Sequence, residues 1–266
     1  MGIPRFRKES FPFLTGVRYA GPSYCLMRRF LTAEWRYLLM LNYTVEPDLL
    51  RPHVPGGVEL DAWDGKTYLS MVGFLFLRTR VLGLWVPLHT NFEEVNLRFY
   101  VRRRTPEGWR RGVVFIKEIV PRRLIATVAR VCYNEPYAAM PMRHCIEVEN
   151  DRLQNGGSVE YAWRFQDRWN SLRATTIGAP LSPKEGSEEE FITEHYWGYT
   201  TQPNGGCKEY HVEHARWNVW RVREAALHCE IASLYGAKFT KPLGASPQSA
   251  FVAEGSPIVV SPGTAI

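Results

Sequence analysis

Several signatures that usually betray a chemistry are missing from this chain of 266 residues. Its five cysteines, Cys25, Cys132, Cys145, Cys207 and Cys229, are odd in number and widely spaced, with no C-x-x-C pair. That pattern argues against a disulfide framework and points to reduced thiols. There is no P-loop, dinucleotide-binding glycine fingerprint, nucleophile elbow or H-E-x-x-H, so no motif calls for a nucleotide, a cofactor or a zinc ion. No apolar run approaches the ~18 residues of a membrane span. The basic start "MGIPRFRKES" leads into no apolar stretch of signal-peptide type. The expectation is a soluble, cytoplasmic protein with neither cofactor nor membrane partner.

What is abundant is aromatic. Nine Trp, thirteen Tyr and thirteen Phe make 13% of the chain, within 45% hydrophobic and 23% charged residues. These values suit a globular protein with a full core, and Trp and Tyr favour half-buried sheet faces or a ligand cavity. The net charge of +6 owes much to Arg102-Arg103-Arg104, Arg110-Arg111 and Arg122-Arg123. No nucleic-acid motif accompanies them, so they read as a solvated hairpin tip and a helix start, with no nucleic-acid partner expected.

The periodicities predict about ten strands and one good helix. Residues 1–30 lack a clean period and read as an irregular arm; residues 31–266 read as a single domain. Apolar "EWRYLLMLNY" predicts a buried strand, and Pro47 and Pro52 bound a short helix after it. Asp64-Gly65 marks a hairpin turn between two further strands. "NFEEVNLRFYVRRRTPEGWRRGVVFIKEIVP" predicts a hairpin turning at Pro106-Glu107-Gly108. In "PRRLIATVARVCY" the period becomes helical, with Leu124, Ile125, Val128, Ala129, Val131 and Cys132 as the stripe. Ser187 and Glu190 have capping-box spacing. Val222–Tyr235 fits a strand or a helix, with a strand turning near Tyr235-Gly236 preferred. The whole predicts an α+β, mainly antiparallel β fold curled into a barrel or cone.

Two groups of polar residues are candidates for chemistry. On the first strand of the long hairpin, Glu94, Asn96, Arg98 and Tyr100 share one face while Val95, Leu97, Phe99 and Val101 share the other. The polar row is either a wet outer face or the lining of a curved sheet, where an Arg can clamp a carboxylate and a Glu can move protons. Lys117, in the otherwise apolar second strand, is either a strand-end lysine reaching water or a buried amine with a lowered pKa, a candidate nucleophile. The second group is "TEHYWGYTTQPNGGCKEYHVEH". A two-residue turn at Asn204-Gly205 would set His195 opposite His214, Trp197 opposite Val212 and Tyr199 opposite Tyr210. Two imidazoles fall short of the three or four ligands that zinc takes, so no metal is assigned.

Taken in order, "LNYTVEPDLLRPHVPGGVEL", "FEEVNLRFYVR", "GVVFIKEIVP", "YNEPY" and "TEHYWGY…EYHVEHARW" resemble the YqjF-like family of the acetoacetate decarboxylase-like superfamily. The resemblance runs from about Leu31 to Trp217 and on towards Glu254. It implies a cone of antiparallel strands around an interior polar pocket. In the superfamily's decarboxylases a lysine there forms a Schiff base with a β-keto acid. On residue matching Glu94 resembles the pocket glutamate and Arg36 the pocket arginine. The lysine pair would fall near "NEPYAAM", which here holds Pro136, Tyr137 and Ala138, so acetoacetate decarboxylation itself is not expected.

The resulting expectation is a pocket for a small carboxylate or carbonyl compound. Glu94 and Lys117 are its catalytic candidates; Arg36, Asn96, Arg98, Tyr100, His195 and His214 are its ligand-binding candidates. Lyase-type chemistry, a non-catalytic binding or oligomeric structural protein, and a histidine-based metalloprotein stay open as alternatives. Assembly as a homo-oligomer is left open as well.

Overall fold

The computed structural model describes residues 29–266, so the expected arm over residues 1–30 lies almost wholly outside the described residues. Among the described residues, eleven strands of five residues or more carry the fold. They are β1 (Leu31–Val45), β2 (Thr67–Val81), β3 (Phe92–Thr105), β4 (Gly108–Val120), β5 (Met142–Ile146), β6 (Ser158–Phe165), β7 (Arg168–Leu181), β8 (Trp197–Thr201), β9 (Cys207–His214), β10 (Val219–His228) and β11 (Ser249–Val260). The two helices that matter for the site are α1 (Arg123–Tyr133) and α2 (Glu188–Thr193). A mainly antiparallel, strand-rich fold with a few short helices is what the periodicities predicted.

The strands close on themselves. β9, β8, β4, β3, β2, β1 and β11 are neighbours in that order, and β11 returns to β9 through Val212↔Val260 and His214↔Ile258. Closure removes the sheet's free edges at this end. Every junction of the ring is antiparallel except β8 on β4, where Trp197 pairs with Gly112 in parallel. From β11 the sheet continues through β10, β7, β6 and β5.

Because strand side chains alternate, the ring strands feed two separate interiors. Leu39, Leu41, Leu97 and Phe99 pack against Tyr161, Trp163 and Leu172 of the continuing sheet. Leu38, Met40, Phe74, Phe76, Phe92 and Val113 point the other way, into the ring. β3 thus separates an apolar core from the inside of the ring, and its polar row is on the ring side: Glu94, Asn96, Arg98 and Tyr100 are all buried.

Three local expectations need correction. The Asp64-Gly65 turn is present, with both residues at positive φ and Trp63 bridged to Lys66. The strand before it, Glu59–Leu60, pairs with β3 and not with its hairpin mate. In the β8–β9 hairpin Trp197 pairs with His211 and Tyr199 with Glu209, one residue away from the expected register. The loop has three residues, Pro203 to Gly205, because Gln202 N–H donates to the Gly206 carbonyl at 2.7 Å and Gly205 takes the left-handed position at φ 81°. Such a loop shifts the pairing by one relative to a two-residue turn. Beyond β10 the chain turns helical at Ile231–Tyr235, where a strand was preferred.

The expected apolar stripe of α1 is only partly packed. Leu124, Ile125, Val128 and Ala129 lie over the mouth of the ring, whereas Val131 is 79% exposed. The capping expectation at α2 is met on one side: the Ser187 hydroxyl accepts from the Glu190 N–H at 3.2 Å.

Candidate functional site

The ring encloses a cavity of about 270 Å³. Its upper walls are apolar, with Trp35, Phe76, Phe92, Phe115, Ile125 and Trp217 among the lining. Its polar lining includes residues of β3 (Glu94, Arg98), β4 (Glu118), the segment after α1 (Glu135, Tyr137), the approach to β8 (His195) and β9 (Tyr210, His214). A few convergent polar groups in a mostly apolar hollow is the usual make-up of a small-molecule site.

The polar lining has two sides of different character. On one side stands Arg98, buried, with its Nε lacking a hydrogen-bond partner and its guanidinium 5.7 Å from the Tyr100 ring centroid. Its Nη2 reaches only the Met40 sulfur, at 3.9 Å. No carboxylate forms an ion pair with it among the described residues. His195 is held edge-on to Phe191 and tilted over Tyr100, at ring-centroid distances of 5.2 and 4.7 Å. The Asp61 carboxylate lies 3.5 Å from His195 Nε2, too far for a firm hydrogen bond. Burial outweighs that carboxylate and pushes the imidazole down to about 4, so His195 is neutral. His214 stacks between Tyr196 and Trp217 at 4.5 and 4.2 Å, and its Nδ1 contacts the Ala215 carbonyl at 2.9 Å.

On the other side three carboxyls gather. Glu94 accepts from Asn96 Nδ2 at 3.0 Å and from the Tyr137 hydroxyl at 2.9 Å. Burial raises it to about 7 against the pull of those donors and of Arg98. Glu135 accepts from the Tyr210 hydroxyl at 2.9 Å, and burial, reinforced by Glu94, lifts it to about 8. Glu118 is raised well above the usual carboxylate range by burial and then by Glu135 and Glu94, and its Oε2 has no partner. Like charges this close cannot all ionise in a low-dielectric site.

Two backbone irregularities decide which side chains reach the cavity. On β4, Phe115 pairs with Arg98 but Lys117 pairs with Leu97, so Ile116 is a bulge. Val113 and Phe115 face in above the bulge, and below it the inward residue is Glu118, not Lys117. On β1, Tyr37 sits at φ 55° and the register shifts between Arg36 and Leu39. Trp35 lines the cavity, so its neighbour Arg36 faces outward, where it pairs with Glu34 at 2.9 Å.

These facts sort the candidates. Glu94, Arg98, His195 and His214 are brought together around one cavity. Asn96 stands behind Glu94 and orients it; Tyr100 supports His195 and shares a 2.7 Å hydrogen bond with Ser70. Two candidates are corrected. Lys117 donates to the Leu234 carbonyl and lies near the Tyr235 ring, on the far face of the sheet. Arg36 is on the outside for the reason given. His195 and His214 do share a space at the open end of the β8–β9 hairpin, but not as the directly paired positions expected. The described residues contain no group of three or more His, Cys, Asp or Glu placed to hold a metal ion.

Glu118, Glu135, Tyr137 and Tyr210 escaped the sequence reading. Glu135 had a signal: Asn134 ends α1 in a left-handed cap at φ 60°, and Pro136 forces extended backbone on the residue before it. A glutamate fixed in such a turn is positioned, not free. Four of the clustered arginines are engaged elsewhere: Arg102 with Glu59, Arg103 and Arg110 with Glu209, Arg111 with Asp61.

Comparison with known proteins fits this architecture. Among solved structures, the enduracididine biosynthesis enzyme MppR complexed with pyruvate superposes with a TM-score of 0.62 at 12% identity, covering 95% of this chain and 98% of that one. The acetoacetate decarboxylase of Legionella pneumophila superposes with a TM-score of 0.59 at 14% identity, covering 97% and 98%. These likenesses show an acetoacetate decarboxylase-like fold. The uncharacterized protein YqjF of Bacillus subtilis (strain 168) is 31% identical over 175 residues, 64% of this chain and 67% of that protein. The family model DUF2071, described as an uncharacterized conserved protein, matches residues 32–257. The chain is therefore a member of the DUF2071 family, a YqjF-like branch of the acetoacetate decarboxylase-like fold.

Proposed function

We propose that the ring cavity binds a small carboxylate carrying a carbonyl group. In this reading the carboxylate rests on Arg98 and Glu94 moves a proton at the carbon next to the carbonyl. The observation that carries it is Arg98 itself: a buried guanidinium lining the cavity that forms no ion pair among the described residues and has an unpartnered Nε, with Glu94 acting on it only from beyond ion-pair distance. A buried, unpaired charge is costly, and a bidentate carboxylate is the ligand that best offsets it. Glu94 suits proton transfer because a pKa of about 7 leaves it both forms near neutrality. Its hydrogen bonds to Asn96 and Tyr137 hold it in place in either form. That a fold neighbour is complexed with pyruvate supports the ligand class by analogy of fold.

No lysine lines the cavity among the described residues. The reading therefore runs through enolisation, with no Schiff base on this chain. The same fact favours a second reading, in which the cavity binds such a ligand without turnover.

Calorimetric titration with phenylpyruvate, together with proton NMR of its exchange in heavy water, tests both. Binding should weaken roughly tenfold or more in Arg98→Gln. Exchange of the protons next to the carbonyl should be accelerated by the protein and lost in Glu94→Gln. Unchanged affinity in Arg98→Gln would sink the ligand assignment. Binding without accelerated exchange would select the second reading.

A further inference from the structure

The side of the cavity away from Arg98 is poor in donors. Six carboxylate oxygens of Glu94, Glu118 and Glu135 gather there. The donors that reach them are Asn96 Nδ2 on Glu94, the Tyr137 hydroxyl, which donates to Glu94 and also bears on Glu118, and the Tyr210 hydroxyl on Glu135. Glu118 Oε2, in a residue only 2% exposed, has no partner at all. Arg98 is the only lysine or arginine lining the cavity among the described residues. It bears on Glu94, whereas the charges that bear on Glu118 and Glu135 are other glutamates. Aromatic faces complete this side: Tyr210 meets Tyr133 edge-on at 5.1 Å, and both line the cavity.

We infer that Glu118, Glu135 and Tyr210 form a subsite for a protonated amine carried on the apolar body of the ligand. An ammonium supplies what this wall lacks: several N–H donors and a positive charge. It compensates two neighbouring buried carboxyls at once and packs against the aromatic rings. The apolar upper wall, from Trp35 to Phe115, then accommodates the body joining that nitrogen to the group held at Arg98. The ligand becomes an amino-substituted aromatic or aliphatic carboxylate, not a simple keto acid of three or four carbons. This deepens the reading given above and rests on it only for the end at Arg98.

Three stable probes separate the two ends in calorimetric titrations: para-tolylacetate, para-(aminomethyl)phenylacetate and para-methylbenzylamine. The aminomethyl acid should bind wild-type protein roughly tenfold or more tighter than the tolyl acid. At neutral pH it should also release protons, because an ammonium beside Glu118 and Glu135 draws them into the ionised form. The affinity ratio of the two acids should collapse in Glu118→Gln and in Glu135→Gln, which preserve shape and remove only the capacity for charge. Equal affinity of the two acids in wild type overturns the inference, as does a ratio that survives both substitutions. If neither acid binds, the reading at Arg98 has failed, and para-methylbenzylamine then decides the amine subsite alone. Binding that is lost in Glu118→Gln sustains it; no binding refutes it.

Discussion

Phe115 and Glu118 both face the cavity although they stand three residues apart on one strand. Strict alternation would pair Phe115 with Lys117 instead. The bulge at Ile116 exchanges a basic group for an acidic one at that point of the wall, and with it the chemistry open to the cavity.

The first prediction concerns that exchange. Borohydride reduction in the presence of pyruvate should leave the intact mass unchanged, because the Lys117 amine is engaged with the Leu234 carbonyl on the other side of the sheet. An adduct mapped to Lys117 would contradict its placement.

Burial of the three carboxyls makes stability depend on pH in a direction opposite to that of paired surface carboxylates. Glu118 binds its proton more tightly folded than unfolded. Its contribution is complete below about pH 4.5 and is lost as pH rises towards the raised folded value. Glu118→Gln should therefore gain stability relative to wild type on going from pH 5 to 8, by up to about 1.4 kcal/mol per pH unit. Urea denaturation of both proteins across that range measures the difference, in which the histidine contributions cancel. A constant difference would mean that Glu118 titrates normally.

A Cβ on Gly198 would fall 2.0 Å from Tyr210 Cζ, so this glycine exists to let the Tyr210 ring lie across β8 and reach Glu135. Gly198→Ala should cost about 1–3 kcal/mol, in line with overpacking elsewhere. Adding Tyr210→Ala should recover part of that loss. Strictly additive costs in the double variant would show that the two do not press on each other.

Tyr137→Phe removes one of the two donors that stabilise ionised Glu94. The Glu94 pKa should move up from about 7, and the pH profile of any Glu94-dependent exchange should follow it upward. A profile that stays in place would assign the titration to another group.

The polar row of β3 was legible because alternation needs no more than the strand itself, and the apolar partners at Val95, Leu97 and Phe99 fixed its phase. What could not be read were the departures from alternation. Neither Ile116 nor Tyr37 carries a glycine or a proline to announce a bulge, so the facing of Lys117 and Arg36 was open to error. The β8–β9 register turned on whether "TQPNGG" closes with two loop residues or three, a choice that composition leaves undetermined. Closure of the ring, which brings Tyr210 and Glu135 to the same cavity as Glu94, depends on contacts more than a hundred residues apart in the case of Glu94 and Tyr210.

β3 has a further consequence. Its even-numbered side chains from Glu94 to Arg98 furnish a chamber, while the odd-numbered ones hold two sheets together. The partition between them is a single backbone thick. Rewriting every second letter of this strand would refurnish the chamber for another guest and leave the scaffold's adhesive untouched, which gives one architecture room for unlike reactions.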